Sequence, residues 1–273
     1  MTAGLCELHA HTIYTDGANT CEEMVLAAID AGLETFGISE HASTSVPFDT
    51  GNLSAETLPL YLGEMRALKT KYAGKITLFT GVEQDLLGDM PTDRFDYVIG
   101  STHFIQKNGE YRFVDDGADG QRETADRLFG GDFLAFAEEY YKAEATVARV
   151  TKCDIVGHFD LIAKNNEGGR IFDDSRPRYR DAAIYAMEEI LKTVRLFEVN
   201  TGAMYRANRS EPYPAPWLLC ELLSRGGEVI LSGDAHATAS VAYKFPEMEE
   251  LLRSAGFKYR KILTPSGFCD VRL

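Results

Sequence analysis

The chain holds only six histidines, His9, His11, His41, His103, His158 and His236, and each stands at or just past the C-terminal end of a short apolar run that reads as a β-strand. His9-Ala10-His11 alternates along its strand, so both rings point to one face. Carboxylates accompany them. Asp16 sits in the turn Thr15-Asp16-Gly17, where it also reads as an ordinary turn aspartate. Glu83 ends the strongly apolar run ITLFTGVE, where a charge needs a cation or a hydrogen-bonding network. Asp234-Ala235-His236 repeats the alternation at the end of another strand. Imidazoles mixed with carboxylates suit zinc, manganese or iron, and no cysteine is placed to compete. Such a set could lower the pKa of water and drive a hydrolysis. Four further acids lie close by: Glu40 beside His41, Asp160 two residues after His158, and Glu198 and Asp85 near strand ends. Each is read as a partner that orients a ligand ring, with Asp85 equally a solvated loop residue and Glu198 equally a group on the barrel wall.

Positioning these groups requires elements that converge. Strand-like runs end near His9, Ser39, Glu83, Ser101, His158, Asn200 and Ser232, with a further run at Lys261–Leu263. Helical patterns fill the intervals: Cys21–Ala31, Ala55–Tyr72, Asp132–Val150, Arg178–Val194, Pro216–Arg225 and Pro246–Ala255. Asn108–Gly131 is polar and rich in Gly and Asp, and reads as a long loop over one face. Seven or eight βα units in 273 residues favour a single-domain (β/α) barrel spanning 1–273. In a barrel the strand ends meet on one face, where active sites are built. A doubly wound open sheet is the second choice, but GxGxxG and GxxxxGK[ST] are both missing.

Composition narrows the function classes. With 42 acidic against 28 basic residues the net charge is −14, the wrong sign for a nucleic-acid surface. No apolar stretch is long enough to span a membrane, and the N-terminus carries no signal-peptide pattern. Five scattered cysteines without a CxxC pair read as reduced thiols, so a cytoplasmic location is expected.

The ordered set HAHTIYTDG, SEHA, GVEQD, STHF, GHFDLIAK, FEVNTG and SGDAH resembles the PHP superfamily, named for polymerase and histidinol phosphatase. HxH alone is weak; the whole set, running from His9 to His236, is specific. STHF, GHFDLIAK and FEVNTG followed by MYRANRSEPYP are most similar to the histidinol-phosphate phosphatase branch. The resemblance implies a distorted seven-stranded (β/α) barrel, TIM-like, and three divalent transition metals, zinc, manganese or iron. It assigns His9, His11, Glu83 and Asp234 to a first metal, a shared Glu83 with His103 and His158 to a second, and Asp16, His41 and His236 to a third. Some members carry a histidine after the aspartate; here Gly17 stands there, so the third metal rests on Asp16.

The implied reaction is hydrolysis of a small phosphate monoester, L-histidinol phosphate, by metal-activated hydroxide. Asp234 and His236 would act in the reaction together with Arg206, which anchors the phosphate from the loop after FEVNTG. Arg209 and Lys164 are the other candidate phosphate contacts, and Asp85, Asp115 and Asp116 are candidates for the substrate ammonium. A PHP-type nuclease, an amidohydrolase-like metal hydrolase and a metal-binding regulatory domain remain as alternatives. The acidic charge disfavours the first, Glu83 in the place of a bridging lysine disfavours the second, and the full ligand set disfavours the third.

Overall fold

The computed structural model describes residues 4–207 and 209–273. Seven parallel strands form one sheet: β1 (Cys6–Glu7), β2 (Thr35–His41), β3 (Thr77–Asp85), β4 (Tyr97–Ser101), β7 (Ile155–Val156), β8 (Leu196–Asn200) and β9 (Glu228–Ser232), in that spatial order. The sheet curls until its first and last members meet. Just past the ends of β1 and β9, the Ala235 amide donates to the His9 carbonyl and the His11 amide to the Ala235 carbonyl, both at 2.9 Å, with Ala10 and Ala235 in parallel register. The barrel thus closes through the middle residues of the His-Ala-His and Asp-Ala-His motifs. This is the distorted seven-stranded barrel that the motif set implies, and the open doubly wound alternative is overturned.

Helices α1 (Cys21–Asp30), α2 (Thr57–Lys71), α4 (Phe133–Glu144), α5 (Val147–Thr151), α6 (Pro177–Leu191), α8 (Pro216–Ser224) and α9 (Phe245–Ala255) follow the strands. α1 begins in a capping box: Thr20 accepts from the Glu23 amide, and the Glu23 carboxylate reaches back to the Thr20 amide. No helix of the described residues is long and apolar enough to cross a membrane.

Two expectations are corrected. Asn108–Gly131 is not a long loop. β5 (Phe104–Lys107) and β6 (Glu110–Phe113) form an antiparallel hairpin, and α3 (Gly117–Phe129) follows. Asn108 and Gly109 turn the hairpin with φ of 54° and 82°, the conformation that an Asn-Gly pair adopts readily. The signal was present in the sequence, masked by the polar surroundings. The run at Lys261–Leu263 belongs to β10 (Tyr259–Thr264), which pairs antiparallel with β11 (Gly267–Arg272) outside the barrel. This hairpin caps the barrel end opposite the histidines, where Ile262 and Leu263 join Cys6, Leu8, Tyr97, Ile99, Ile155, Leu196 and Ile230 in one buried cluster.

Tyr97 fills the inside of the barrel, its hydroxyl donating to the Leu8 carbonyl. The fit depends on glycines at two neighbouring strand positions: a Cβ on Gly81 would fall 2.2 Å from the Tyr97 ring, and one on Gly37 2.3 Å from its hydroxyl. Gly81→Ala therefore overpacks a closed interior, and we expect a loss of about 1–3 kcal/mol in unfolding free energy. Urea denaturation of the two proteins measures it, and equal midpoints would contradict this packing account.

Candidate metal centre

Strand register brings the side chains together. β2 and β3 pair with His41 opposite Glu83, and β3 and β4 with Asp85 opposite Ser101, so groups far apart in sequence end side by side on one rim. The barrel closure adds His9, His11, Asp234 and His236 from the other side.

Glu83 lies at the middle of the set and is 1% exposed. Its Oε1 accepts from the Ser101 hydroxyl at 2.7 Å and lies 2.9 Å from His158 Nε2 and 3.4 Å from His103 Nε2. Its Oε2 lies 2.9 Å from His41 Nδ1, 3.3 Å from His9 Nε2 and 3.5 Å from His11 Nε2. Asp234 Oδ1 stands 3.7 Å from His9 Nε2 and 3.6 Å from His11 Nε2. Asp16 faces His41 Nε2 at 3.5 Å and His236 Nε2 at 3.1 Å.

These groups fit metal ions. His9 Nε2, both nitrogens of His11 and Glu83 Oε2 are buried and have no hydrogen-bond partner, an arrangement that is costly unless a cation satisfies them. Tetrahedral zinc with bonds of about 2.0–2.1 Å places neighbouring ligand atoms about 3.3–3.4 Å apart. The His9, His11, Glu83 and Asp234 separations of 3.3–3.7 Å match that spacing. Eight of the nine donors fall into three clusters: His9, His11 and Asp234; His41, Glu83 and His103; and His11, Asp16, His41 and His236; the ninth, His158, reaches the set through Glu83 Oε1. The structure brings all nine residues of the expected set together. It also places two of them between clusters. His41 faces Glu83 as well as Asp16, and His11 turns Nδ1 toward Asp16 at 4.0 Å.

Electrostatics bind the cluster further. Burial opposes the charged form of Glu83, yet the His9, His103 and His41 rings hold its carboxyl well below the usual range. Burial likewise opposes a charged His9, but Glu198, Glu83 and Asp234 outweigh it and raise its pKa well above the ordinary value. His11 goes the other way, lowered by burial and by His41 and His236. A neutral imidazole is the form that ligates.

The four flanking acids divide. Glu198 Oε2 lies 2.8 Å from His9 Nδ1, while Oε1 accepts from the His158 amide at 2.6 Å and Asn200 Nδ2 at 2.7 Å. One carboxylate thus orients a ring on β1's end and the backbone beyond β7. Asp85 is 4% exposed, not solvated; it accepts from the His103 amide at 2.7 Å and lies 3.2 Å from His103 Nδ1. Glu40 does not orient His41. It accepts from the Thr12 and Thr15 hydroxyls and so holds the turn that carries Asp16. Asp160 turns away from His158, because Arg209 Nη2 at 3.6 Å and the Ala215 amide at 3.3 Å claim it.

A pocket of about 390 Å³ opens above these groups. Arg206, on the short helix α7 (Gly202–Arg206), lines it and donates to Asp234 Oδ2 at 2.8 Å and to His236 Nδ1 at 2.7 Å. Lys164 lines it too, paired with Asp115 at 2.6 Å. Arg209 does not line it: at 7% exposure it is built into the wall by the Ala163 and Glu211 carbonyls and Asp160. Asp116 is exposed at the start of α3, outside the lining. Sequence reasoning missed Asp49, Phe104, Phe113 and Tyr213, all of which line the pocket. Phe104 and Tyr213 stand inside the STHF and MYRANRSEPYP runs and Asp49 and Phe113 in neither, but the runs themselves give them no pocket role, since their nearness to the histidines arises from the β5–β6 hairpin and loops folding over the barrel mouth.

The PHP domain family model matches residues 7–202. A probable histidinol-phosphatase of Deinococcus radiodurans is 30% identical over 95% of this chain and 98% of its own length. The histidinol-phosphatase of Bacillus subtilis is 24% identical over 87% of this chain and 95% of its own. Among solved structures, histidinol phosphate phosphatase from Lactococcus lactis, complexed with zinc, L-histidinol and phosphate, superposes with a TM-score of 0.66 at 19% identity, covering 97% of this chain and 98% of that one. The chain belongs to the PHP domain family.

Two outcomes follow from the geometry. Glu198→Gln should weaken metal affinity about 10–100-fold while leaving the fold intact, measured by competition with a chelator; unchanged affinity would show that the His9 contact orients nothing. Glu83→Gln should cost more turnover than Asp16→Asn, because Glu83 faces five imidazoles with both oxygens whereas Asp16 meets only the outer cluster. Turnover and metal content of both variants decide, and equal or reversed losses would reassign the two carboxylates.

Proposed function

We propose that this PHP-family chain is a metal-dependent phosphatase that hydrolyses L-histidinol phosphate to L-histidinol, a step of histidine biosynthesis. The observation that carries the reading is a nine-residue imidazole and carboxylate cluster at the floor of a pocket whose wall presents Arg206 and Lys164. The matching relatives named as histidinol-phosphatases over nearly their full length support the substrate.

His9, His11, Glu83 and Asp234 would hold one ion, Glu83, His103 and His158 a second, and Asp16, His41 and His236 a third. Zinc, manganese or iron held by these residues would lower the pKa of water and offset charge on the phosphoryl oxygens. The remaining work falls to the chain. Arg206 offers the phosphate a fixed, planar donor set, because its contacts to Asp234 and His236 hold the guanidinium at the rim. Lys164 adds a second positive charge on the same wall. Asp115 and Asp49 lie in the lining where they can meet the ammonium group of the leaving alcohol. Glu198 and Asp85 keep the His9 and His103 rings aimed, so little reorganisation is needed as charge develops.

The acidic surface, with net charge −14, favours a small substrate over a polyanion and supports a role without nucleic acid. We read the enzyme as cytoplasmic, from its free, scattered cysteines.

A panel of histidinol phosphate, nucleotide monophosphates, single-stranded DNA and cyclic amides, each with zinc, manganese or iron supplied, tests the assignment. Histidinol phosphate should be the preferred substrate. Activity on DNA without activity on histidinol phosphate would replace the phosphatase with a nuclease. Truncating a charged substrate contact costs about 2–5 kcal/mol, so Arg206→Ala should lower kcat/KM roughly a hundredfold or more. Metal content must be measured alongside, since Arg206 touches Asp234 and His236.

A further inference from the structure

Buried tyrosines in this protein satisfy their hydroxyls. Tyr61 donates to the Ile38 carbonyl at 2.7 Å, Tyr140 to the Phe159 carbonyl at 2.9 Å, Tyr141 to the Tyr179 hydroxyl at 2.9 Å, and Tyr97 to the Leu8 carbonyl. Tyr213 is the exception among the described residues: it is 2% exposed and its hydroxyl has no partner. An unpaired buried hydroxyl costs about 1–3 kcal/mol; Ser39, Thr102 and Ser232 carry such hydroxyls as well, but of these four residues only Tyr213 lines the pocket.

Tyr213 is also held in place. Its amide donates to the Asn200 carbonyl at 2.9 Å and its carbonyl accepts from the Asn200 amide at 2.7 Å, which ties it to the end of β8. The Arg209 guanidinium lies 4.6 Å from the ring centroid, and the ring of His158 meets it edge-on at 6.3 Å. Arg209, expected from sequence to touch the phosphate, is therefore placed to fix this ring. Tyr213 shares the pocket lining with Arg206, Lys164 and His158.

We propose that Tyr213 is a substrate-binding residue whose hydroxyl donates a hydrogen bond to a phosphoryl oxygen of the ester. The proposal rests on the phosphatase reading of this site. The group that Arg206 and Lys164 attract is rich in acceptors, and Tyr213 is an unspent donor on the same wall. Shielding from water makes such a bond count for more than it would at the surface. The ring is immobilised beforehand, so the bond forms with little loss of freedom. Burial also pushes the phenol well above its ordinary range, so the hydroxyl keeps its proton.

Tyr213→Phe removes the hydroxyl and keeps the ring. Calorimetry on the metal-loaded enzyme with inorganic phosphate should show binding weakened roughly tenfold or more, the usual effect of losing a hydrogen bond to a charged group. Affinity for L-histidinol alone should be unchanged, metal content should match the wild type, and Tm should stay level or rise because an unpaired hydroxyl has gone. Unaltered phosphate affinity overturns the proposal, as does a loss confined to L-histidinol, which would place the hydroxyl at the leaving group. A lowered Tm overturns it too, by revealing a structural partner. Phosphate binding does not depend on which ester is cleaved, so a wild type inactive on histidinol phosphate would sink the substrate assignment and leave this test standing.

Discussion

The structure depends on one buried carboxylate at the centre of a ring of imidazoles. Glu83 is buried at the floor of the pocket, and its only hydroxyl donor is Ser101. Five imidazoles surround it, and Oε2 has no hydrogen-bond partner. Several kilocalories per mole would be needed to bury such a charge uncompensated. Cations held by this cluster would remove that cost. The barrel geometry follows, since Glu83 must stand beside His41 in register, near the His103 and His158 strand ends, and within reach of the closure that delivers His9 and His11.

Closure and chemistry are one device here. The hydrogen bonds that join the first and last strands link Ala235 to His9 and His11 on either side of Ala10, and both alanines are flanked by ligand candidates. Small residues in the middle let the strands approach while the flanking side chains turn inward. At the opposite end the β10–β11 hairpin and Tyr97 fill the barrel, so the strands have little freedom to splay. Behind the donors, three carboxylates from three strands act as struts: Glu198 on His9 and the His158 backbone, Asp85 on His103, and Glu40 on the turn bearing Asp16. Each converts a flexible side chain or turn into a preset one, which is what a multi-ion site needs.

The pocket wall balances charge in the same way. Arg206 leans on Asp234, and Lys164 on Asp115, so neither cation is left isolated in a partly buried place. In the proposed function a phosphate dianion would meet both cations.

From the sequence alone the six histidines, Glu83 and Asp234 could be placed on one rim, because strand alternation decides which residues share a face and barrel strand ends converge, while Asp16 was added through the family resemblance. The barrel class was legible from the βα rhythm; Arg206 was singled out through the family resemblance, and the structure places it in the pocket lining. What the tertiary structure decided is which group answers which. Asp85 and Asp160 look alike in sequence, each two residues past a candidate ligand, yet one braces His103 and the other is claimed by Arg209. Arg206 and Arg209 are three residues apart, and only the first faces the pocket. Tyr213 lies within the MYRANRSEPYP run, but nothing in the run shows that its hydroxyl stands unpaired in the pocket wall. Local periodicity specifies the face of an element, whereas partnership across a barrel depends on register, closure and loop packing, which arise from contacts between residues distant in the chain.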